Sequence, residues 1–263
     1  MLVEFVHHTL LRICHTFLAF ELLVGTTLES AEPPFHGTIF VNKSIVLDDD
    51  PSVFDKSTPM GTGQRRMFDR RSNRFAEVEA RLYQVDFKDG MKIEVQVNME
   101  FDEAEAQKAL DRYLPVVGQL PAVLRKDVKT MWVHKGKEPF GGGNDNLLIH
   151  TGMGEVYLRD GILAETLCHE AAHTSLDATH ANNDRWQTAQ RLDGEFISQY
   201  ARDNPGREDI AESFLLYVAL RYRRDRIPND LAETIEKTMP NRIKYFDSLE
   251  LDMKPITKSS KSR

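Results

Sequence analysis

Two histidines four residues apart, with a glutamate directly after the first, stand in the stretch TLCHEAAHTSLD at positions 166–177. On an α-helix each residue turns by about 100°, so His169 and His173 project from one face, only about 40° apart. Both imidazoles can then meet a single ion. Glu170 lies about 60° from His173 in projection, within reach of a water on that ion without displacing either histidine. Zinc suits imidazole and carboxylate donors with one position left open, and it lowers the pKa of a coordinated water toward neutrality. A glutamate placed like Glu170 takes the proton of that water and later passes it on. In a chain of 263 residues with nine histidines, His-Glu-x-x-His arises by chance roughly once in fifty such chains.

Two histidines do not complete a protein site, and four residues are candidates for the third ligand. His180 follows His173 by seven residues. A motif with Gly at the third position after the second histidine and His at the sixth is not met, because Leu176 and Thr179 stand there. Asp177 is spaced to orient an imidazole from behind. Glu208 and Glu212, in REDIAESF, are four apart and share a helix face, so one can bind the metal while the other steadies a histidine.

The elements that must carry these residues can be read from pattern. Apolar runs at 37–41 and 43–47 predict short strands, and the Asp-, Pro-, Ser- and Gly-rich stretch 48–63 predicts a loop. Alternation over 80–87 and 91–99, joined through Asp89-Gly90, predicts a hairpin. Asp102 with Glu105 forms a capping-box pattern for a helix to about residue 117, and Pro121 opens a short second helix. MWVH (131–134) and LLIH (147–150) read as strands around a flexible connection containing Gly141, Gly142 and Gly143, a rim or lid over a cleft. Asp160 is the expected N-cap of a motif helix running to about Leu176. Further helices are expected over 194–200 and over a strongly amphipathic 208–223, then from Pro228 and from Pro240. Strands first and helices afterwards make the fold class α+β.

Composition sets the outer bounds. With 41% hydrophobic and 29% charged residues the chain is globular, and its net charge of −7 argues against nucleic acid as a partner. Arg65, Arg66, Arg70, Arg71 and Arg74 read as a solvated or salt-bridged face, with an anion site as the alternative. Cys14 and Cys168 lie in unrelated contexts and predict no disulfide. The apolar run 13–27, followed by Ser30, Ala31 and two prolines, reads as a secretory signal or an uncleaved anchor. Membrane association follows only from the anchor, and secretion would make Asn42-Lys43-Ser44 a glycosylation sequon. Trp132 and Trp186 are expected to pack rather than bind substrate.

HEAAH followed by EDIAE resembles the gluzincin zinc metallopeptidases, and is most similar to their lethal-factor-like branch, over roughly residues 147–247. The resemblance implies a zincin-like catalytic domain with a small β-sheet and a helical C-terminal half. It also implies Zn2+ on His169, His173 and Glu208, with Glu170 as the base and Glu212 behind the ligands. A tyrosine about seven residues before the ligand glutamate serves the oxyanion in that family. Here Tyr200 stands eight residues before Glu208. LLIH would be the edge strand that pairs with an extended peptide or protein substrate, with His150 lining the cleft or ending the strand exposed. The expected organisation is a signal peptide or anchor (1–31), a β-rich region (32–100), the catalytic domain (101–250) and a polar tail (251–263). Zinc-dependent peptide hydrolysis is the leading expectation. A zinc-binding module without turnover and a zinc hydrolase of a non-peptide amide are the alternatives.

Overall fold

The alternating run around Asp89-Gly90 builds the centre of the β-sheet. In the computed structural model, which describes residues 32–256, β1 (Phe54–Asp69), β2 (Arg74–Phe87) and β3 (Lys92–Asn98) form an antiparallel meander. Gly90 supplies the positive φ of 91° that the β2–β3 turn requires. Tyr83, Val85, Phe87, Ile93, Val95 and Val97 share the face that packs into the main core. The other face carries only a small cluster of Met67, Ala80 and Leu82, with Trp132 laid against it.

From β3 the chain crosses over through α1 (Glu103–Gln119) and the single turn α2 (Ala122–Arg125) to β4 (Thr130–His134), which joins β3 in parallel. Asp102 and Glu105 cap α1 reciprocally, as the spacing predicts. β5 (Gly141–Gly143) and β6 (Asn146–His150) follow as a hairpin, giving six strands in the order β1-β2-β3-β4-β6-β5. The rest is helical: α3 (Thr151–Asp160), α4 (Leu163–Ser175), α5 (Asp177–His180), α6 (Asp184–Asp193), α7 (Gln199–Asp203), α8 (Asp209–Tyr222), α9 (Asn229–Thr238) and α10 (Pro240–Asp247). The fold is α+β. The sheet runs without a break across position 100, so residues 32–256 belong to one compact unit.

Several elements differ from the sequence reading, each for a physical reason. The stretch 48–63 is only partly a loop, because β1 begins at Phe54. As an edge strand it accommodates Pro59 at a register shift between Pro59 and Thr62. The apolar runs at 37–41 and 43–47 form a 3-10 turn and bends instead of strands. They bury Ile45 and Val46 as a strap whose Ile45 carbonyl accepts from Arg223. The three glycines form β5, not a flexible lid, because Asn144 and Asp145 adopt φ of 52° and 61° and close a tight hairpin. LLIH is therefore interior, and β5 is the edge. Asp160 ends α3 rather than capping α4, since Gly161 at φ 68° terminates that helix in the left-handed conformation. The helix expected over 194–200 begins only at Gln199, as α7, because Gly194 at φ 71° ends α6 and Ser198 is extended in a bridge to Phe35. α8 is buried on every side from Asp209 to Leu220, not amphipathic.

The polar tail starts later than position 251. Met253 and Ile256 are buried, and the backbone N–H groups of Ala122 and Val123 donate to the carbonyls of Lys254 and Asp252. Trp186 is buried against Tyr245 and Phe246. The signal or anchor reading, Cys14 and the KSSKSR end lie outside the described residues. No helix among the described residues is long and apolar enough to cross a membrane.

Candidate metal centre

α4 is held from both sides. Leu167, Cys168, Ala171 and Ala172 face the core at 1% exposure or less, and their small or flexible side chains allow close approach. Thr174 fastens the helix to the sheet: its hydroxyl donates to the Asn146 carbonyl at 2.8 Å and accepts from the Gly143 N–H at 2.8 Å. At Gly142 a Cβ would come within 1.8 Å of the Glu170 carbonyl oxygen, so only glycine permits β5 to lie this close to α4. The opposite helix face presents His169, Glu170 and His173 to a cleft of about 490 Å³. One wall of the cleft is the strap at His36, Gly37 and Phe40, and the other is β5 with Phe140 and Arg70.

His169, His173 and Glu208 converge there, each offering one ligand atom. The two Nε2 atoms are 3.1 Å apart, and Glu208 Oε2 lies 3.0 Å from His173 Nε2 and 3.3 Å from His169 Nε2. A triangle with these edges has a circumradius of about 1.8 Å, inside the Zn–N and Zn–O bond length of about 2.0–2.1 Å, so one point at bonding distance from all three exists. Glu208 occupies the N-cap position of α8 and is 2% exposed. A carboxylate so thoroughly buried requires a compensating cation. Burial opposes its charge, but the hydrogen bonds from His169 and His173 win and hold its pKa far below the usual carboxylate range. Burial likewise works against the His173 cation, yet Asp177 and Glu208 overcome it and raise its pKa to about 10.

The surrounding groups hold these three side chains. Asp177 Oδ2 sits 2.8 Å from His173 Nδ1, which orients that ring. Glu212 Oε1 lies 3.4 Å from His169 Nδ1, an ion-pair contact without a hydrogen bond. Its Oε2 accepts the Thr38 N–H at 2.8 Å, tying the strap to the site. The Tyr200 hydroxyl donates to Glu208 Oε1 at 3.1 Å, so the eight-residue spacing does not separate them. Burial, then the nearby Glu208 carboxylate, raises the Tyr200 pKa to about 12, which keeps the phenol protonated and able to donate. The Glu170 side chain lines the cleft and makes no hydrogen bond or ion pair among the described residues.

Two expectations are corrected. His180 is turned away from the cluster, its Nδ1 2.6 Å from the Tyr245 hydroxyl. His150 neither lines the cleft nor ends a strand exposed. It is fully buried, stacked on His134 at 5.4 Å between ring centroids, with Nδ1 3.0 Å from the Lys135 carbonyl.

Supporting residues without a local sequence signal surround the cluster. Arg242, fully buried, joins Asp193 and Asp209 at 2.9 Å each and so anchors the first turn of α8, the residue after Glu208. These three positions are far apart in sequence and carry no local pattern. The basic cluster divides: Arg65 pairs with Glu94, Arg71 with Asp69 and Glu100, and Arg66 lies over Phe75, whereas Arg70 enters the cleft wall. Compared with protein-family models, with curated proteins and with solved structures, the chain matches none.

Proposed function

We propose that this chain is a zincin-type, zinc-dependent metallopeptidase acting on peptide or protein substrates. The observation that carries the reading is the convergence of two imidazole nitrogens and one buried carboxylate oxygen at the separations one tetrahedral ion demands. His169, His173 and Glu208 would hold Zn2+, whose donor preference fits two imidazoles and a carboxylate. When bound, the ion supplies Lewis-acid polarisation of a scissile carbonyl and acidifies water near neutrality.

The chain's own groups do the rest. Glu170, unpaired in the cleft, accepts a proton from the attacking water and returns it to the leaving amine. Tyr200, a neutral phenol beside the ligand set, turns its hydroxyl to the developing oxyanion, where a donor is worth most. Asp177 and Glu212 keep the imidazoles aligned so that the ring nitrogens face the cleft. The antiparallel edge strand β5 offers its outer side to an extended substrate backbone. Action outside the cytoplasm belongs to the same reading, through the apolar segment near the N-terminus. The test is Glu170→Gln: the variant keeps zinc but loses chelator-sensitive hydrolysis of a peptide library. Wild-type cleavage by that variant refutes the base assignment, and cleavage insensitive to chelator refutes the metal.

A further inference from the structure

The cleft is lined by two arginines that the proposed hydrolysis leaves unused, Arg70 and Arg207. Arg70 occupies the turn between β1 and β2, immediately after Asp69 and before Arg71. Arg71 is held by Asp69 and Glu100, which pins the turn on the far side and leaves Arg70 directed into the cleft. The Arg70 guanidinium lies over the first residue of β5. A Cβ on Gly141 would approach Nη2 to 2.8 Å and Nε to 3.5 Å, so glycine there makes the room the side chain occupies.

Arg70 Nε is shut off from solvent yet has no hydrogen-bond partner. The guanidinium forms no ion pair among the described residues, while Arg65, Arg66 and Arg71 of the same hairpin are all engaged. Its neighbours in the wall are Phe140 and the half-buried Tyr157, whose phenol it influences electrostatically. Arg207, the other arginine of the cleft, is largely exposed and already faces Glu208 at 3.3 Å. A donor fork held half-dry without an acceptor is costly unless something arrives to satisfy it. A planar carboxylate matches that fork with two parallel hydrogen bonds.

We propose that Arg70 is a specificity residue that receives a carboxylate of the substrate on the β5 side of the cleft. This rests on the metallopeptidase reading for its reaction, but the recognition it assigns can be measured apart from turnover. The carboxylate has two sources, an Asp or Glu side chain near the scissile bond or the C-terminal carboxylate of a peptide.

The experiment uses the full zinc-loaded chain and three variants, Arg70→Gln, Arg70→Lys and Gly141→Ala, with zinc content measured for each. Matched peptides differ only by Glu against Gln at each position around the cleaved bond, or by a free against an amidated C-terminus. The expected result is a preference for the carboxylate form in the wild type. The ratio of kcat/KM between the two forms falls roughly 10–100-fold in Arg70→Gln, and less in Arg70→Lys. It also falls in Gly141→Ala, where the guanidinium is displaced. The pair that shows the preference identifies the source. A ratio unchanged by Arg70→Gln overturns the proposal. If no peptide is cleaved, the metallopeptidase reading fails on its own. Calorimetric titration with glutarate then decides, with at least 10-fold weaker binding to Arg70→Gln supporting the site and equal binding overturning it.

Discussion

Gly142→Ala isolates the contact between the edge strand β5 and α4, the helix that carries His169 and His173. An alanine Cβ at this position would lie 1.8 Å from the Glu170 carbonyl oxygen, whereas ordinary contacts begin near 3.4 Å. β5 and α4 must therefore separate by roughly 1.5 Å, against the β6 pairing and the Thr174 clamp on Gly143. Overpacking of this kind costs about 1–3 kcal/mol, or about 2–4 °C in Tm per kcal/mol for a chain of this size. The activity should suffer more than the stability. A displacement of about 1 Å near reacting groups lowers rate about 100-fold, and here the residue that moves is the proposed base itself. Thermal unfolding, zinc content and peptide hydrolysis are measured beside Gly206→Ala, where a Cβ meets nothing within 4 Å. The expected pattern is lowered Tm and strongly reduced hydrolysis in Gly142→Ala, with Gly206→Ala close to wild type. Wild-type Tm and hydrolysis in Gly142→Ala would refute the claim that this glycine sets the approach of strand to helix.

Two pH effects of opposite sign follow from buried groups outside the His169–His173–Glu208 cluster. Burial pushes the His134 pKa down from 6.5 to about 4, so its stabilising contribution is complete above pH 6.5 and is lost as pH falls through 4. That shift corresponds to about 3 kcal/mol, and urea denaturation from pH 7 to pH 4 should show a shallower loss in His134→Gln than in wild type. Glu165 is raised by burial from 4.5 to about 7, so its contribution is complete below pH 4.5 and is lost as pH rises through 7. Glu165→Gln should therefore gain stability over wild type between pH 5 and pH 8, by up to about 3 kcal/mol. Parallel curves for the two proteins would contradict this.

The site was more legible in the sequence than the scaffold around it. His169, Glu170 and His173 stand on one helix, so 100° per residue sufficed to bring them together. The β2–β3 hairpin and the capped start of α1 were equally plain, because alternation and capping are local signals. β1 escaped because an edge strand tolerates the proline and glycine that read as loop. The three glycines escaped because their composition suits a flexible connection, while the reason for them is the approach of α4, a tertiary fact. α8 read as amphipathic, yet the strap, α4 and α10 cover its sides. Arg242, Asp193 and Asp209, and the placement of Arg70 in the cleft, depend on contacts between distant segments that no spacing encodes.

The central claim is that His169, His173 and Glu208 hold one divalent ion, and zinc stoichiometry with chelator competition addresses it most directly. Wild type should retain one zinc per chain after dialysis. Glu208→Ala should bind it more than about 100-fold more weakly, since losing even an outer-shell partner costs about 10–100-fold. A wild-type chain that retains no zinc, or a Glu208→Ala variant with unchanged affinity, would contradict the account.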